Sequence, residues 1–412
     1  MDMYRAFLAI IISFLILIGY QYFFVPTQPT PPPVQTEQQP TAAPAVPATA
    51  AAPAAQPAAQ PAVPAVTPPK APVVAVDKNA RDITVDTPLY TAVFFEQGGG
   101  LKSFILKKYR IEKDKNAAPM ELVMTSNPAE LPLVFTLDNG AAAILPVFRT
   151  DREKLSLQAG STGELVMTAT LENGLTLTRT LSFDGDSYLF STDYTVSNSG
   201  SAAQQVTPAM VMTSAPFSAA NSTGRYLFSG PVAYVNNELQ EIKGKKLTAG
   251  PLTMQGAVSW SAYEDNYFIC AVIPEQNTAG MVTMSAAGDT VRTVVGGGLA
   301  GLAAGESKTF RYKAYFGPKK LSVLKDTGDE LAKAVNFGWF DVLAKPMLFL
   351  LNFFYSYIGN YGVAIILLTC LIKGAFWPIT QKGMKSMKNM QKLQPRVAKL
   401  KEKFKDDPAK MN

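Results

Sequence analysis

The stretch Leu171–Gly200, LENGLTLTRTLSFDGDSYLFSTDYTVSNSG, keeps strict step with a β-strand. Leu175, Leu177, Arg179, Leu181 and Phe183 form one alternating set, and Tyr188, Phe190, Thr192, Tyr194 and Val196 form the next. A period of two puts each set on one face of a strand. Asn173-Gly174 and Asp184-Gly185 are read as the positive-φ residues of tight hairpin turns. Similar short strands recur from about Val73 to Tyr315, with no long helical pattern between them. This much antiparallel strand predicts one large all-β sandwich, assigned to residues 77–320. Such a fold hosts sugar binders, enzymes and inert spacers alike, so it does not give function.

Toward the N-terminus the composition changes twice. Pro26–Pro72 holds half of the chain's 30 prolines among Ala, Gln and Thr. It cannot bury a core and reads as an extended tether, residues 26–76. Before it, MDMYRAFLAIIISFLILIGYQYFFV places one Arg ahead of a long apolar run that ends in aromatics. A cleaved signal peptide has an apolar core of only ~7–15 residues and a small-residue cleavage site. The run here is longer and leads straight into PTQPTPPP, so residues 1–25 are read as an uncleaved transmembrane anchor.

Toward the C-terminus, Leu321–Val335 reads as an amphipathic helix closing the domain, residues 321–336. The apolar and aromatic run Met347–Ile358, preceded by Trp339, Lys345 and Pro346, is too short to cross a bilayer. Residues 337–360 are therefore expected to lie in the outer membrane interface, the alternative being a buried helix of the sandwich. Gly359-Asn360-Tyr361-Gly362 breaks the pattern, and residues 361–381 form a second transmembrane helix. Residues 382–412 form a basic arm with apolar positions Met390, Leu393, Val397, Leu400 and Phe404, spaced like a coiled-coil seam. Pro395 should kink that arm, and Asp407-Pro408 should cap and begin another helix.

Charge sets the topology. The chain carries +6 overall, yet residues 381–412 alone hold ten Lys/Arg against three Asp/Glu, which leaves Pro26–Phe340 close to neutral. A strongly basic segment beside a span stays cytoplasmic under the positive-inside rule, so the sandwich lies outside and the N-terminus inside. The sequence has no histidine, which removes Ser-His-Asp and Cys-His catalysis and any His-based zinc site. The two cysteines, Cys270 and Cys370, are read as free, buried thiols rather than a disulfide. No cofactor is indicated.

One residue breaks the membrane pattern. No charge occurs from Met347 to Ile372; then comes Lys373, and the next charge is Lys382. At 3.6 residues per turn Thr369, Lys373, Trp377 and Thr380 share a face. A charge at mid-helix costs about 2.5–3.5 kcal/mol on insertion scales. The lysine either snorkels to the inner headgroups or faces a wet, polar cavity.

The segment NYGVAIILLTCLIKGAFWPITQKGMKSMKNMQKLQPRVAKLKEKFKDD closely resembles the second transmembrane helix and first cytoplasmic arm of the bacterial YidC membrane protein insertase family. SWSAYEDNYFICAVIP (Ser259–Pro274), YFGPKK (Tyr315–Lys320), the anchor and the Pro/Ala linker agree. The resemblance implies a non-enzymatic inner-membrane insertase or chaperone with a periplasmic β-super-sandwich. It also implies a hydrophilic groove, open to cytoplasm and lipid, holding one basic residue, usually arginine. Lys373 takes that position, Thr369 matches a groove hydroxyl, and Trp377 and Thr380 extend the face. Lysine keeps the charge but not the planar fork of arginine. Lys385, Lys388, Lys392, Arg396 and Lys399 would form the basic arm. Implied partners are nascent inner-membrane proteins, the Sec translocon, the ribosome, the signal recognition particle receptor and anionic lipids. The family core has five transmembrane helices and this chain supplies only the first, so it is expected to be part of a longer protein.

Two rival classes differ in their consequences. A membrane-anchored carbohydrate-binding protein would use a sandwich resembling mutarotase-like folds, although the missing His removes that chemistry. A two-span scaffold would use the basic arm and leave Thr369 and Lys373 without a role.

Overall fold

A computed structural model describes residues 77–403, apart from 113, 115, 142–144, 217–227, 244–245, 248, 276–277, 289 and 329. The anchor, the linker, Phe404 and the helix start at Asp407-Pro408 lie outside the described residues.

The founding stretch forms two long strands, Leu175–Asp184 and Leu189–Asn198, paired antiparallel from Leu175↔Asn198 to Ser182↔Ser191. All ten residues of the two alternating sets are buried. These strands belong to an eight-stranded antiparallel sheet. Its order is Glu238–Glu241, Gly230–Val235, Val258–Glu264, Phe268–Pro274, Ser307–Pro318, Leu189–Asn198, Leu175–Asp184 and Thr162–Thr170. Two five-stranded sheets cover it. One contains Tyr90–Phe95 and Leu101–Arg110, and its edge pair Asp82–Asp86 with Lys154–Ser156 is parallel. The other contains Ala209–Ser214, Met281–Ala287 and Thr290–Gly296.

Aromatic contacts join the layers. Phe94 meets Phe183 and Phe190, Phe104 meets Phe316, and Phe135 stacks on Tyr194 at 4.2 Å. Aromatic pairs of this kind contribute ~0.5–1.5 kcal/mol each beyond their burial. One continuous core therefore spans all three large sheets.

The two expected turns are built differently from a paired positive-φ hairpin. At the first, the Gly174 N–H donates to Leu171 O and only Gly174 (φ 82°) is left-handed. That is a type I turn followed by a left-handed glycine. Gly185 is not left-handed at all. It is glycine because a Cβ there would run into the Gln158 carbonyl oxygen, while its N–H donates to Ser161 O. The sequence pattern marks the turn but not the reason for the residue.

The closing helix is also shorter than the pattern predicts. Helix α1 (Leu321–Asp326) stops before Gly328 (φ 71°) and Glu330 (φ 58°), and a 3-10 turn, Leu331–Ala334, follows. Leu324, Leu331 and Ala334 still bury against the domain. Helix α2 (Asp341–Ile358) has no buried residue, although the run Met347–Ile358 within it is mostly apolar and aromatic. Gly359 (φ 68°) ends it, and the Asn360 side chain accepts from the Gly362 N–H to start helix α3 (Tyr361–Lys403). Helix α3 continues through Pro378 and Pro395 without interruption.

Candidate functional site

Helix α3 is the one described helix long and apolar enough to cross a membrane, with a mean hydropathy of 1.9 in its apolar window. It packs on α2 from the Gly359 turn, where Tyr355 stacks on Tyr361 at 3.8 Å and Ala364 is buried, and Leu368 and Ile372, one and two turns on, are half-buried on the same side. Below that point Thr369, Lys373, Trp377 and Thr380 are all exposed. They share a face, but no second element among the described residues covers it, so the cavity itself is not enclosed. Cys270 is buried as expected, whereas Cys370 is exposed, because no element among the described residues covers its side of α3.

The two hydroxyls on this face are committed in a specific way. Thr369 Oγ1 donates to Ile365 O at 2.8 Å, and Thr380 Oγ1 donates to Phe376 O at 3.0 Å. Each proton is thus used within the helix, and each oxygen keeps lone pairs to accept from a passing N–H. Among the described residues no carboxylate lies within ion-pair distance of Lys373. The face therefore offers acceptors at both ends and one ammonium between them.

Beyond Thr380 the helix becomes amphipathic. Lys385, Lys388, Lys392, Arg396 and Lys399 recur at spacings of three and four and form one stripe. The first four are exposed. Met390 (62 % exposed), Leu393 and Val397 fall on the other side of the helix and are uncovered. The basic arm and the apolar seam are thus two faces of one element.

The β domain carries a separate feature that no sequence motif marks. A cleft of about 1350 Å³ opens beside Tyr109, Met120, Met212, Phe268 and Lys319. Ile111, Met124 and Tyr267, all largely exposed, also line it. Its residues come from segments far apart in the chain, so no local motif could announce it. Among the described residues no group of His, Cys, Asp and Glu side chains is arranged to hold a metal.

Comparison with known proteins gives this arrangement its context. Residues 82–350 match the YidC periplasmic domain family, and residues 353–412 match the 60Kd inner membrane protein family. The membrane protein insertase YidC of Geotalea daltonii is 35% identical over 412 residues, covering 99% of this chain and 75% of that protein. The chain belongs to the YidC family of membrane protein insertases. The Geobacter sulfurreducens member is 38% identical, covering 99% of this chain and 74% of its own length. Among solved structures, a galactose mutarotase-like protein from Lactobacillus casei aligns at 13% identity with a TM-score of 0.39, covering 57% of this chain and 99% of that one. A likeness that loose assigns no activity, and the sugar-binding alternative gains nothing from it. YidC-family insertases are non-enzymatic inner-membrane proteins.

Proposed function

We propose that α3 forms one wall of a hydrophilic groove in which Lys373 transiently holds the acidic or polar terminus of a membrane-protein client during insertion. The observation that carries this reading is the face itself: Thr369, Lys373, Trp377 and Thr380 aligned on an otherwise apolar membrane-length helix. Carrying a polar terminus through hydrocarbon is costly, because charges and backbone amides lose water without replacement. A wet groove reaching partway across shortens the dry path. Lys373 then offsets the charge of an acidic terminus, and the Thr369 and Thr380 oxygens accept from client N–H groups. The client's apolar segment partitions into lipid beside the groove.

On this reading the outer domain is periplasmic, and α3 enters the membrane from that side. The basic stripe of the arm faces anionic inner-leaflet lipid, where each Lys or Arg contributes about 1 kcal/mol. The same stripe is a fitting surface for the ribosome or the signal recognition particle receptor. Cooperation with the Sec translocon belongs to the same proposal. A two-span scaffold would leave the polar face without use and is disfavoured by it.

Photocrosslinking tests the face directly. A crosslinker at 369 or 380 in the full-length protein should capture a stalled single-span client. The same probe at 367 or 371, on the opposite side of the helix, should capture mainly lipid. Equal client capture from both sides would refute a groove on this face.

A further inference from the structure

Two motifs singled out in the sequence, SWSAYEDNYFICAVIP and YFGPKK, have no place in the insertion mechanism, yet the fold brings them together. Strands Val258–Glu264 and Phe268–Pro274 form a hairpin, and Phe268 pairs with Pro318 at the end of the last strand. Lys319 Nζ lies 2.6 Å from Glu264 Oε1, and the Lys319 backbone N–H donates to Tyr267 O at 2.6 Å. Asp265 Oδ1 holds the intervening turn by accepting from the Tyr267 and Phe268 N–H groups, both at 2.7 Å. The Tyr315 hydroxyl donates to Pro318 O and fixes the other side. This joint sits where the chain leaves the sandwich for α1 and the membrane segments.

Its charges do not balance. The Glu264 side chain is 1 % exposed, and Lys319 is its ion-pair partner. Glu264 Oε2 and Asp265 Oδ2 are both buried without a hydrogen-bond partner. Glu241 and Asp265 add two further negative charges near Glu264, and Tyr263 and Cys270 are the other titratable groups beside Asp265. Two buried carboxylates, Glu264 and Asp265, with the exposed Glu241 nearby, thus face one ammonium. Such a cluster favours protonation of its most buried member.

We propose that Glu264 and Lys319 form a proton-sensitive clamp that holds the outer domain's exit segment firmly when the surroundings are mildly alkaline and loosens it when they are mildly acid. Protonation would leave the neutral acid in place and release the Lys319 ammonium toward the cleft it lines. Burial pushes Glu264 up to about 7 even though Lys319 opposes the shift. The consequence for stability runs opposite to the consequence for the joint. With the folded value above the ordinary 4.5, burying the carboxylate costs stability above pH 7, and that cost is relieved as pH falls toward 4.5. The exit segment should therefore loosen while the domain as a whole becomes no less stable.

Hydrogen exchange on the full chain in lipid nanodiscs, with times corrected for intrinsic rates, tests this at pH 8.0 and 5.5. Peptides covering Gly317–Asp326 should lose about five- to tenfold protection at the lower pH, as a charge-assisted bond gives way to a neutral one. Strands 175–184 and 189–198 should not change. Glu264→Gln should show the low-pH protection at both pH values, and Lys319→Gln should do the same. Unchanged wild-type protection across this range would overturn the clamp. So would a pH response that survives in Glu264→Gln, or loosening spread evenly over the whole domain.

Discussion

The strand Leu175–Asp184 and the helix segment 367–380 are each about ten to fourteen residues of alternating chemistry, and each carries a single basic residue. The strand closes over its own. Arg179 is fully buried, donates to Gly99 O and to Thr192 Oγ1 (3.0 Å), and lies 5.3 and 5.0 Å from the Phe94 and Tyr194 rings. Burial lowers its pKa, yet it has no carboxylate partner; two aromatic faces and two oxygens replace part of its water, and Nη2 stays without a hydrogen-bond partner. The helix leaves Lys373 uncovered on a face with two acceptors. A cation enclosed by its own fold, even with Nη2 left unpartnered as here, is structural. One whose partners must come from elsewhere is available for work.

The largest expected effect tests the closed half of that contrast. Trp260 is fully buried and stacks on Tyr234 with rings 5.7 Å apart. Trp260→Ala should destabilise the β domain by about 3–5 kcal/mol in denaturant unfolding. Trp377→Ala, at a position 63 % exposed, should stay within about 0.5 kcal/mol for the same domain. Equal losses would mean that the two regions do not fold independently.

What the sequence made legible follows the same division. The period-two sets were readable because every one of their members is held by neighbours on adjacent strands, so local pattern and tertiary burial agree. Arg179 already sat in register with Leu177 and Leu181. The Glu264–Lys319 joint was not readable, because 55 positions separate its partners and only the strand order joins them. Gly185 was read as a turn glycine, whereas it answers to Gln158 across a gap in sequence. The break of the closing helix at Gly328 was lost for another reason. Leu324, Leu331 and Ala334 keep helical spacing even though the backbone between them does not. On α3 the face of Lys373 follows from helical geometry alone, but what covers it is a matter of packing and cannot be read from one helix.

A middle-sized effect concerns the domain's acid sensitivity. The Glu96 side chain is wholly buried and accepts from the Arg81 N–H (3.0 Å), Arg81 Nη2 (2.8 Å) and Arg149 Nη1 (2.6 Å). Burial pushes its pKa up, but the Arg81 hydrogen bonds and the two guanidinium charges outweigh it and hold the carboxyl below 4.5. A lowered folded pKa contributes stability above the unfolded value that is lost as pH falls beneath it. The stability of the β domain should therefore drop below about pH 4.5, and Glu96→Gln should remove that part of the drop at a cost of about 1.5–3 kcal/mol at pH 7. Arg81 and Arg149 are about half exposed, so the lower end of that range is expected. An unchanged acid profile in Glu96→Gln would assign the loss to other carboxylates.

The smallest effect tests the open half. If Lys373 acts as a cation in a wet groove, charge should matter more than shape. Lys373→Arg should preserve insertion of a single-span client with an acidic terminus by the full-length protein, because the positive charge remains. Lys373→Ala should impair it, and Lys373→Glu should impair it further, since the groove would then repel the terminus. At an effective dielectric near 20 an ion pair at ~4 Å gains about 4 kcal/mol before desolvation, and the net after desolvation should be near 1 kcal/mol. That corresponds to about a fivefold loss of insertion rate in the Ala form, read by protease protection at matched protein levels. Clients without acidic termini should lose less. A lysine that merely snorkels to the headgroups would show no such dependence on the client, so equal loss for acidic and neutral termini would return Lys373 to a structural role.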